Sequence, residues 1–152
     1  MIVARDGQKS GPGARINLQF SIFNKFSIIQ FTMETQKEYN LAKRTTKFGE
    51  DIIVFCKGIK QDNINKPIIN QLVRSGTSMG ANYCEANNAS SKKDFRNKIF
   101  ICKKESQETK YWLQMLAKCN SESKEEIRKL WKECQELTMI FQKIISTMNK
   151  NN

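Results

Sequence analysis

The sequence predicts an all-α protein in which residues from about Arg44 to Met148 form an antiparallel, up-and-down bundle of four helices. Apolar residues recur at spacings of three and four in four separate segments, which is the period of an α-helix. Short polar stretches separate these segments, and short connections favour antiparallel neighbours. The β-like stretch at residues 52–55 is too short to compete with the helical period around it.

The first helix is predicted from Thr45 to Ile59, and a polar, turn-like stretch follows at residues 61–65. The second is predicted to begin at Asn65, a favourable N-cap, because Pro67 is tolerated in a first turn. The apolar faces of these two helices consist of Phe48, Ile52, Phe55, Cys56 and Ile59, and of Ile68, Leu72, Gly76, Met79 and Tyr83.

Two glycines lie in the middle of the second segment, at Gly76 and Gly80. Each is expected to cost about 1 kcal/mol of helix stability relative to alanine. Close approach of a neighbouring helix is the simplest compensation, and a kink at this point is the alternative. The spacing therefore predicts either tight packing or a bend.

Capping signals place the last two helices. Ser91 with Asp94 opens the third, which reaches about Cys119, and Ser123 with Glu126 opens the fourth. Their apolar faces consist of Phe95, Ile99, Cys102, Ser106, Thr109, Leu113 and Leu116, and of Ile127, Leu130, Trp131, Cys134, Leu137, Phe141, Ile144, Ile145 and Met148.

Residues 1–43 differ from the bundle and are predicted to be a poorly structured extension, with a short tail at residues 150–152. Residues 1–32 are interpreted as a loose tail or a mis-assigned gene start, and residues 1–15 are rich in Gly and polar side chains. The apolar stretch at residues 16–31 is too short and too interrupted to span a membrane, and it has no signal-cleavage site.

Composition restricts the chemistry. The chain has no histidine, which removes the usual general base near neutral pH and histidine-based metal sites. Five widely spaced cysteines form no Cys-x-x-Cys pair and are interpreted as small apolar residues in a reducing cytosol. No cofactor and no metal are expected. The net charge of +11 indicates either a polyanionic partner or a solvated lysine-rich surface.

The third helix carries the two candidate sites. Glu105 and Glu108 could act as paired carboxylates in acid–base or metal chemistry, or they could be neutralised by Lys104, Lys110 or Arg74. A basic stripe lies within about 40° on the same helix and extends for about 27 Å. It consists of Lys92, Arg96, Lys103 and Lys110, and it is widened by Lys93 and Lys104. Such a stripe could follow a phosphate backbone, or it could be the solvated face of the helix.

Three runs of residues resemble one protein family. They are RSGTSMGANYCEA at residues 74–86, SKKDF at residues 91–95 and KKESQETKYWL at residues 103–113. Together they resemble the four-helix-bundle proteins encoded in intervening sequences of 23S ribosomal RNA genes, over about residues 48–148. The resemblance implies a bacterial cytoplasmic protein that forms a homopentamer and has no enzymatic activity. It also implies a relation to the accessory proteins of diversity-generating retroelements.

The resemblance also singles out polar positions, which are expected to be structural. They are Arg74, Asn82, Glu85, Glu105 and Glu108. Arg74 is expected to pair with Glu105 or Glu108 and so to set the register of two helices.

Two functional hypotheses follow. The first is a non-catalytic, oligomeric protein that binds nucleic acid, RNA in preference to DNA, through the basic stripe. The second is a protein–protein scaffold, for example an accessory subunit of a reverse transcriptase or another nucleic-acid enzyme. An enzymatic function is not supported, because the sequence shows no pair of nucleophile and base.

Overall fold

A computed structural model describes residues 40–150. The predictions for the N-terminal extension and its start therefore lie outside the described residues, apart from its last few positions. The described chain forms four α-helices: α1 (Leu41–Gly58), α2 (Asn65–Asn87), α3 (Lys92–Cys119) and α4 (Lys124–Lys150). A 3₁₀ turn at Ser121–Ser123 leads into α4, and residues 40–150 contain no strand. The prediction of an all-α four-helix bundle is confirmed.

The helices pack as antiparallel neighbours. Each contacts the next one in the chain, and α1 also contacts α4, which closes the bundle. Contacts between α2 and α3 run in opposite chain directions, because Ser75 meets Thr109 while Met79 meets Cys102. The up-and-down order follows from the short connections between these helices.

The predicted apolar faces supply the core. Leu72, Met79, Ile99, Leu113 and Phe141 are among the side chains with no exposed surface. Six predicted members lie at the edge of the core and are only partly buried: Ile68, Tyr83, Phe95, Leu130, Trp131 and Ile144. The helical period thus identified the inward faces, and the edge members mark where each face turns towards a neighbouring helix.

The glycines of α2 allow α1 to approach closely. A Cβ atom at Gly76 would lie 3.1 Å from Ile52 Cγ1, and one at Gly80 would lie 3.3 Å from the backbone oxygen of Thr45. Both distances are shorter than ordinary van der Waals contact between carbon and its neighbours. Because α2 continues without interruption to Asn87, close packing is the outcome of the two alternatives.

Small polar side chains pair inside the core. Thr109 donates a hydrogen bond to Ser75 over 3.0 Å, and Thr138 donates to Ser106 over 2.9 Å. These contacts join α2 to α3 and α3 to α4 at one level of the bundle. Buried hydroxyls need such partners, so the two pairs favour one register of the three helices.

The cysteines confirm the interpretation for the apolar stripes. Cys56, Cys102 and Cys134 are buried, whereas Cys84 and Cys119 are exposed, and all five are free thiols. Burial raises the pKa of Cys56 to about 11 and that of Cys102 and Cys134 to about 12. The three buried thiols are therefore protonated at neutral pH and act as packing groups.

Helix ends differ from the sequence prediction at several places. α1 begins at Leu41, ahead of the predicted domain start at residue 44, and the Thr45 hydroxyl donates to the Leu41 carbonyl. α4 reaches Lys150, so one residue of the predicted tail is helical. Helix ends depend on a few local hydrogen bonds, which makes them the least predictable part of an element.

Two of the three predicted caps are wrong. Asn65 is not an N-cap but a buried residue of α2, and Asp62 accepts the backbone N–H groups of Ile64 and Asn65 in its place. Ser123 ends the 3₁₀ turn that runs directly into α4, so α4 has no separate cap at this position. The Ser91 cap of α3 is confirmed, because its hydroxyl accepts the Asp94 N–H.

Candidate nucleic-acid interface

Two members of the basic stripe, Lys103 and Lys110, lie beside α4. Lys92, Lys93 and Lys104 are exposed, whereas Arg96, Lys103 and Lys110 are half-buried. Lys103 and Thr138 of α4 line the same shallow cleft between the two helices, which has a volume of about 490 Å³. Lys103 therefore belongs to one wall of a groove, which Gln107 of the same helix continues.

Lys110 is held in place by uncharged partners. Its Nζ donates to Gln135 Oε1 over 2.6 Å and lies 5.6 Å from the centroid of the Trp131 ring. An amide and an aromatic ring orient an ammonium group without cancelling its charge. Lys110 thus remains a positive group while it ties α3 to α4.

Arg96 is positioned in a similar way. Its Cζ lies 5.5 Å from the centroid of the Phe100 ring, and Phe100 is 41% exposed. The Arg96 Nε is buried and has no hydrogen-bond partner among residues 40–150. A guanidinium that stacks on an exposed ring leaves its outer nitrogens available for planar acceptors such as phosphate.

No cation of the stripe forms an ion pair with a carboxylate in the described part of the chain. Lys98, which belongs to the opposite flank of α3, is by contrast paired with Glu85 of α2. Lys104 interacts electrostatically with Glu108, whereas Lys103 and Lys110 have no paired carboxylate that would compensate their charge.

The acidic residues of α3 lie on its other flank. Arg74 of α2 contacts both of them: its Nη1 lies 3.3 Å from Glu105 Oε2, and its Nη2 bonds to Glu108 Oε1. The Trp112 indole N–H donates to the same Glu108 oxygen over 3.1 Å. The structure thus brings together the expected partners and separates positive and negative charge across α3.

The other two polar positions form separate contacts. Asn82 donates to the Ser78 carbonyl one turn earlier in α2, and Glu85 pairs with Lys98 of α3. Neither joins the Arg74 contacts. The five positions therefore do not form a single site, and each of them satisfies a local helix–helix or backbone contact.

A second arginine between two glutamates was not predicted from the sequence. Arg44 of α1 donates from Nε to Glu133 Oε1 over 2.6 Å and from Nη2 to Glu133 Oε2 over 2.9 Å. Its Nη2 also lies 2.5 Å from Glu136 Oε2. The signal was a pair of glutamates three apart on α4, which repeats the spacing of Glu105 and Glu108.

Replacing Arg74 by alanine is expected to lower the free energy of unfolding by less than about 1 kcal/mol, because the guanidinium is half-exposed and screened by solvent. Urea denaturation measures this change. Arg128→Ala is the matched control, because Arg128 pairs only with Glu125 of its own helix. Equal stability of the Arg74 variant and the control would contradict a structural role for Arg74.

The same ion pair predicts a pH dependence. The hydrogen bond from Arg74 holds the pKa of Glu108 below its ordinary value of 4.5. A lowered folded-state pKa means that the contribution is present above about pH 4.5 and is lost as the pH falls through the lower value. The difference in melting temperature between the wild type and Arg74→Ala is therefore expected to shrink in acid.

Residues 40–150 contain no cluster of three or more side chains suited to a metal ion. No helix in this range has the length and apolar content needed to cross a bilayer.

Comparison with known proteins identifies the family. None of the curated proteins matches the chain. Among solved structures, it is similar to a protein of unknown function from the S23 ribosomal protein family of Bacteroides thetaiotaomicron. The sequence identity is 32% and the TM-score 0.61, with 69% of this chain and 97% of the other covered. A family model matches residues 37–143, more than half of the chain. The chain belongs to the 23S rRNA-intervening sequence protein family.

Proposed function

We propose that this protein is a non-catalytic RNA-binding protein of the bacterial cytoplasm, which needs no cofactor. The observation that carries the proposal is the separation of charge across α3. One flank holds its carboxylates in contact with Arg74, and the other presents cations without ion-pair partners in the described chain. The proposed contact residues are Lys92, Lys93, Arg96, Lys103, Lys104 and Lys110.

The groove between α3 and α4 extends this basic surface. Its α4 wall includes Lys143, with Gln142 and Ser146 beside it. Lysines supply charge to a phosphate backbone, and the amide and hydroxyl groups can donate further hydrogen bonds to it. None of the described residues that line the groove carries a carboxylate. A polyanion lying along the groove would meet attraction from both helices.

RNA is favoured over DNA because the description of the matched family names an intervening sequence of 23S rRNA. The groove chemistry alone addresses phosphates, so it predicts strong salt dependence and little reading of base sequence. Duplex DNA is therefore the appropriate comparison in any binding test.

The test is fluorescence anisotropy of the full chain with structured ribosomal RNA and with duplex DNA at several salt concentrations. Lys92, Arg96, Lys103 and Lys110 are changed together to glutamine, which keeps the aliphatic stems that pack against the bundle. We expect weaker binding and a salt slope that is shallower by about 0.7–0.9 for each lost phosphate contact.

A matched control removes the same charge elsewhere. Its four substitutions to glutamine fall on exposed lysines without an ion pair in the described chain: Lys57, Lys60, Lys66 and Lys129. Circular dichroism establishes that both variants are folded. Equal weakening by the two variants would assign binding to overall charge and would contradict the groove, as would an absence of RNA binding at low salt.

We further propose that the chain forms a homo-oligomer, with a pentamer as the form that the resemblance implies. Large apolar side chains on the bundle surface support self-association: Val54 is 69% exposed, Ile64 64% and Tyr111 52%. Burial of such side chains at an interface is favourable. Light scattering decides this point, because a mass of one chain would exclude the oligomer.

The alternative of a scaffold or accessory subunit for a reverse transcriptase rests on the same exposed apolar residues. It becomes the better proposal if the chain is monomeric and binds neither RNA nor DNA at low salt. The apolar surface would then need a different protein to cover it.

A further inference from the structure

A cavity of about 420 Å³ opens where α3 ends and α4 begins. Its volume falls in the range of small-molecule sites. Lys110 of the basic stripe lies 5.6 Å from the centroid of the Trp131 ring, but none of the six stripe residues lines the cavity itself. The charge pattern of α3 therefore does not explain it. The residues that define its chemistry are Ala117, Lys118, Lys124, Ile127, Arg128 and Trp131.

The cavity combines an apolar wall with a cationic rim. Trp131, Ile127 and Ala117 form the apolar part, and Lys118, Lys124 and Arg128 are exposed at the rim. None of the described lining residues is acidic. Arg128 lies 3.1 Å from Glu125, but both side chains are largely exposed, so water competes effectively with this pair.

Trp131 has an unmet hydrogen-bonding group. Its indole Nε1 is buried and has no acceptor among residues 40–150, although Trp131 lines the cavity. A buried donor without a partner is costly. Because the N–H is shielded from solvent, Trp131 contributes its aromatic ring to the cavity and not this donor.

We propose that this cavity binds a single nucleotide, with the base against Trp131 and the phosphate among Lys118, Lys124 and Arg128. An aromatic wall accepts any base, because every base has a π-face, and clustered cations accept the phosphate. The nucleotide is either free or an unpaired residue of an RNA strand. The second source rests on the proposed RNA-binding function, whereas the first does not.

An unpaired nucleotide fits this geometry better than a duplex. The bases of a double helix are stacked on both sides, so a concave site with an aromatic wall can receive a base only after it leaves the stack. The groove between α3 and α4 could hold the backbone of the strand while the cavity holds one base at its end.

The test uses indole fluorescence of the full chain. The sequence contains two tryptophans, so Trp112→Phe leaves Trp131 as the reporter. Adenosine monophosphate and an RNA oligonucleotide of four adenylates are titrated separately, with inorganic phosphate as a third probe. We expect saturable quenching by both nucleotides and no quenching by phosphate alone.

Two charge-matched variants locate the site. Changing Lys118, Lys124 and Arg128 to glutamine is expected to lower the affinity for adenosine monophosphate at least about tenfold, because the phosphate loses its surrounding cations. Changing Lys57, Lys60 and Lys66 to glutamine removes the same charge outside the cavity. This variant is expected to keep the wild-type affinity for adenosine monophosphate. Equal weakening by both variants would overturn the proposal.

The remaining outcomes separate this site from the RNA function. Quenching by the mononucleotide without RNA binding would support the nucleotide site and contradict the proposed RNA-binding function. RNA binding without quenching by either nucleotide would contradict the nucleotide site and would leave RNA binding in the groove as the supported proposal. Displacement of the nucleotide by an equal concentration of phosphate would show that the base contributes nothing, which also overturns the site.

Discussion

Replacing Gly76 by valine is expected to lower the free energy of unfolding by about 2–3 kcal/mol through overpacking. A Cβ at this position would lie 3.1 Å and 3.2 Å from the two γ-carbons of Ile52. Ile52 has no exposed surface and cannot swing into solvent. Valine adds two further methyl groups in the same gap, so α1 must move away from α2. Urea denaturation measures the change as a lower midpoint with an unchanged slope.

Gly58→Ala is the control for the glycine itself. Nothing lies within 4 Å of a Cβ placed there, and none of the described glycines has a positive φ. Alanine is therefore expected to leave stability unchanged or to raise it by less than about 1 kcal/mol, because it restricts the unfolded chain.

Relief of the clash gives a second check on Gly76. Adding Ile52→Ala to Gly76→Val frees space, so the two costs are expected to sum to more than the measured cost of the double variant. Strict additivity, or a Gly76→Val protein as stable as the wild type, would show that α1 and α2 are not tightly packed at this point.

Replacing Asn120 by leucine is expected to lower the free energy of unfolding by about 1–3 kcal/mol, because it leaves the buried Asn65 Oδ1 without its hydrogen-bond donor. Asn120 is 3% exposed, and its Nδ2 donates to Asn65 Oδ1 over 3.0 Å. Asn65 returns a bond from its Nδ2 to Asn120 Oδ1 over 3.3 Å. The pair joins the start of α2 to the residue after α3. Thermal and urea unfolding measure the loss.

The double variant Asn65→Leu with Asn120→Leu separates two explanations. If the cost arises from the orphaned amide of Asn65, removing both amides recovers much of it, since two apolar groups of similar shape leave no unpaired donor. A double variant whose cost equals the sum of the single costs would instead assign the effect to shape and would contradict the pairing argument. Asn88→Leu is the control, because Asn88 is exposed.

The prediction from sequence succeeded where the information is local. The apolar face of α4 was assigned by period alone, and its central members Cys134, Leu137 and Phe141 are fully buried. Gly76 and Gly80 predicted either close packing or a kink, because two glycines within a helix need a compensating feature, and close packing is the outcome. The spacing of Glu105 and Glu108 left several cations open as partners, and the family resemblance singled out Arg74.

Prediction failed where a partner lies far away in the chain. Asn65 has the composition of an N-cap, but Asn120, which is 55 residues later, holds its side chain inside the bundle. A buried amide pair outweighs a local capping preference, because it satisfies several groups that water cannot reach. Arg44 was missed for the same reason, since its glutamates lie 89 and 92 residues away.

The amino-acid sequence alone predicts four helices, their inward faces, the excess of positive charge and the family. These properties depend on composition and on a period of 3.6 residues, which neighbouring residues set. The packing of the helices places Lys103 and Lys110 of α3 beside α4. It places Glu105 and Glu108 beside Arg74 of α2. It also decided that Trp131 lines a cavity rimmed by Lys118 and Lys124. Such relations depend on which helix packs on which flank, and the spacing within one helix does not encode that choice.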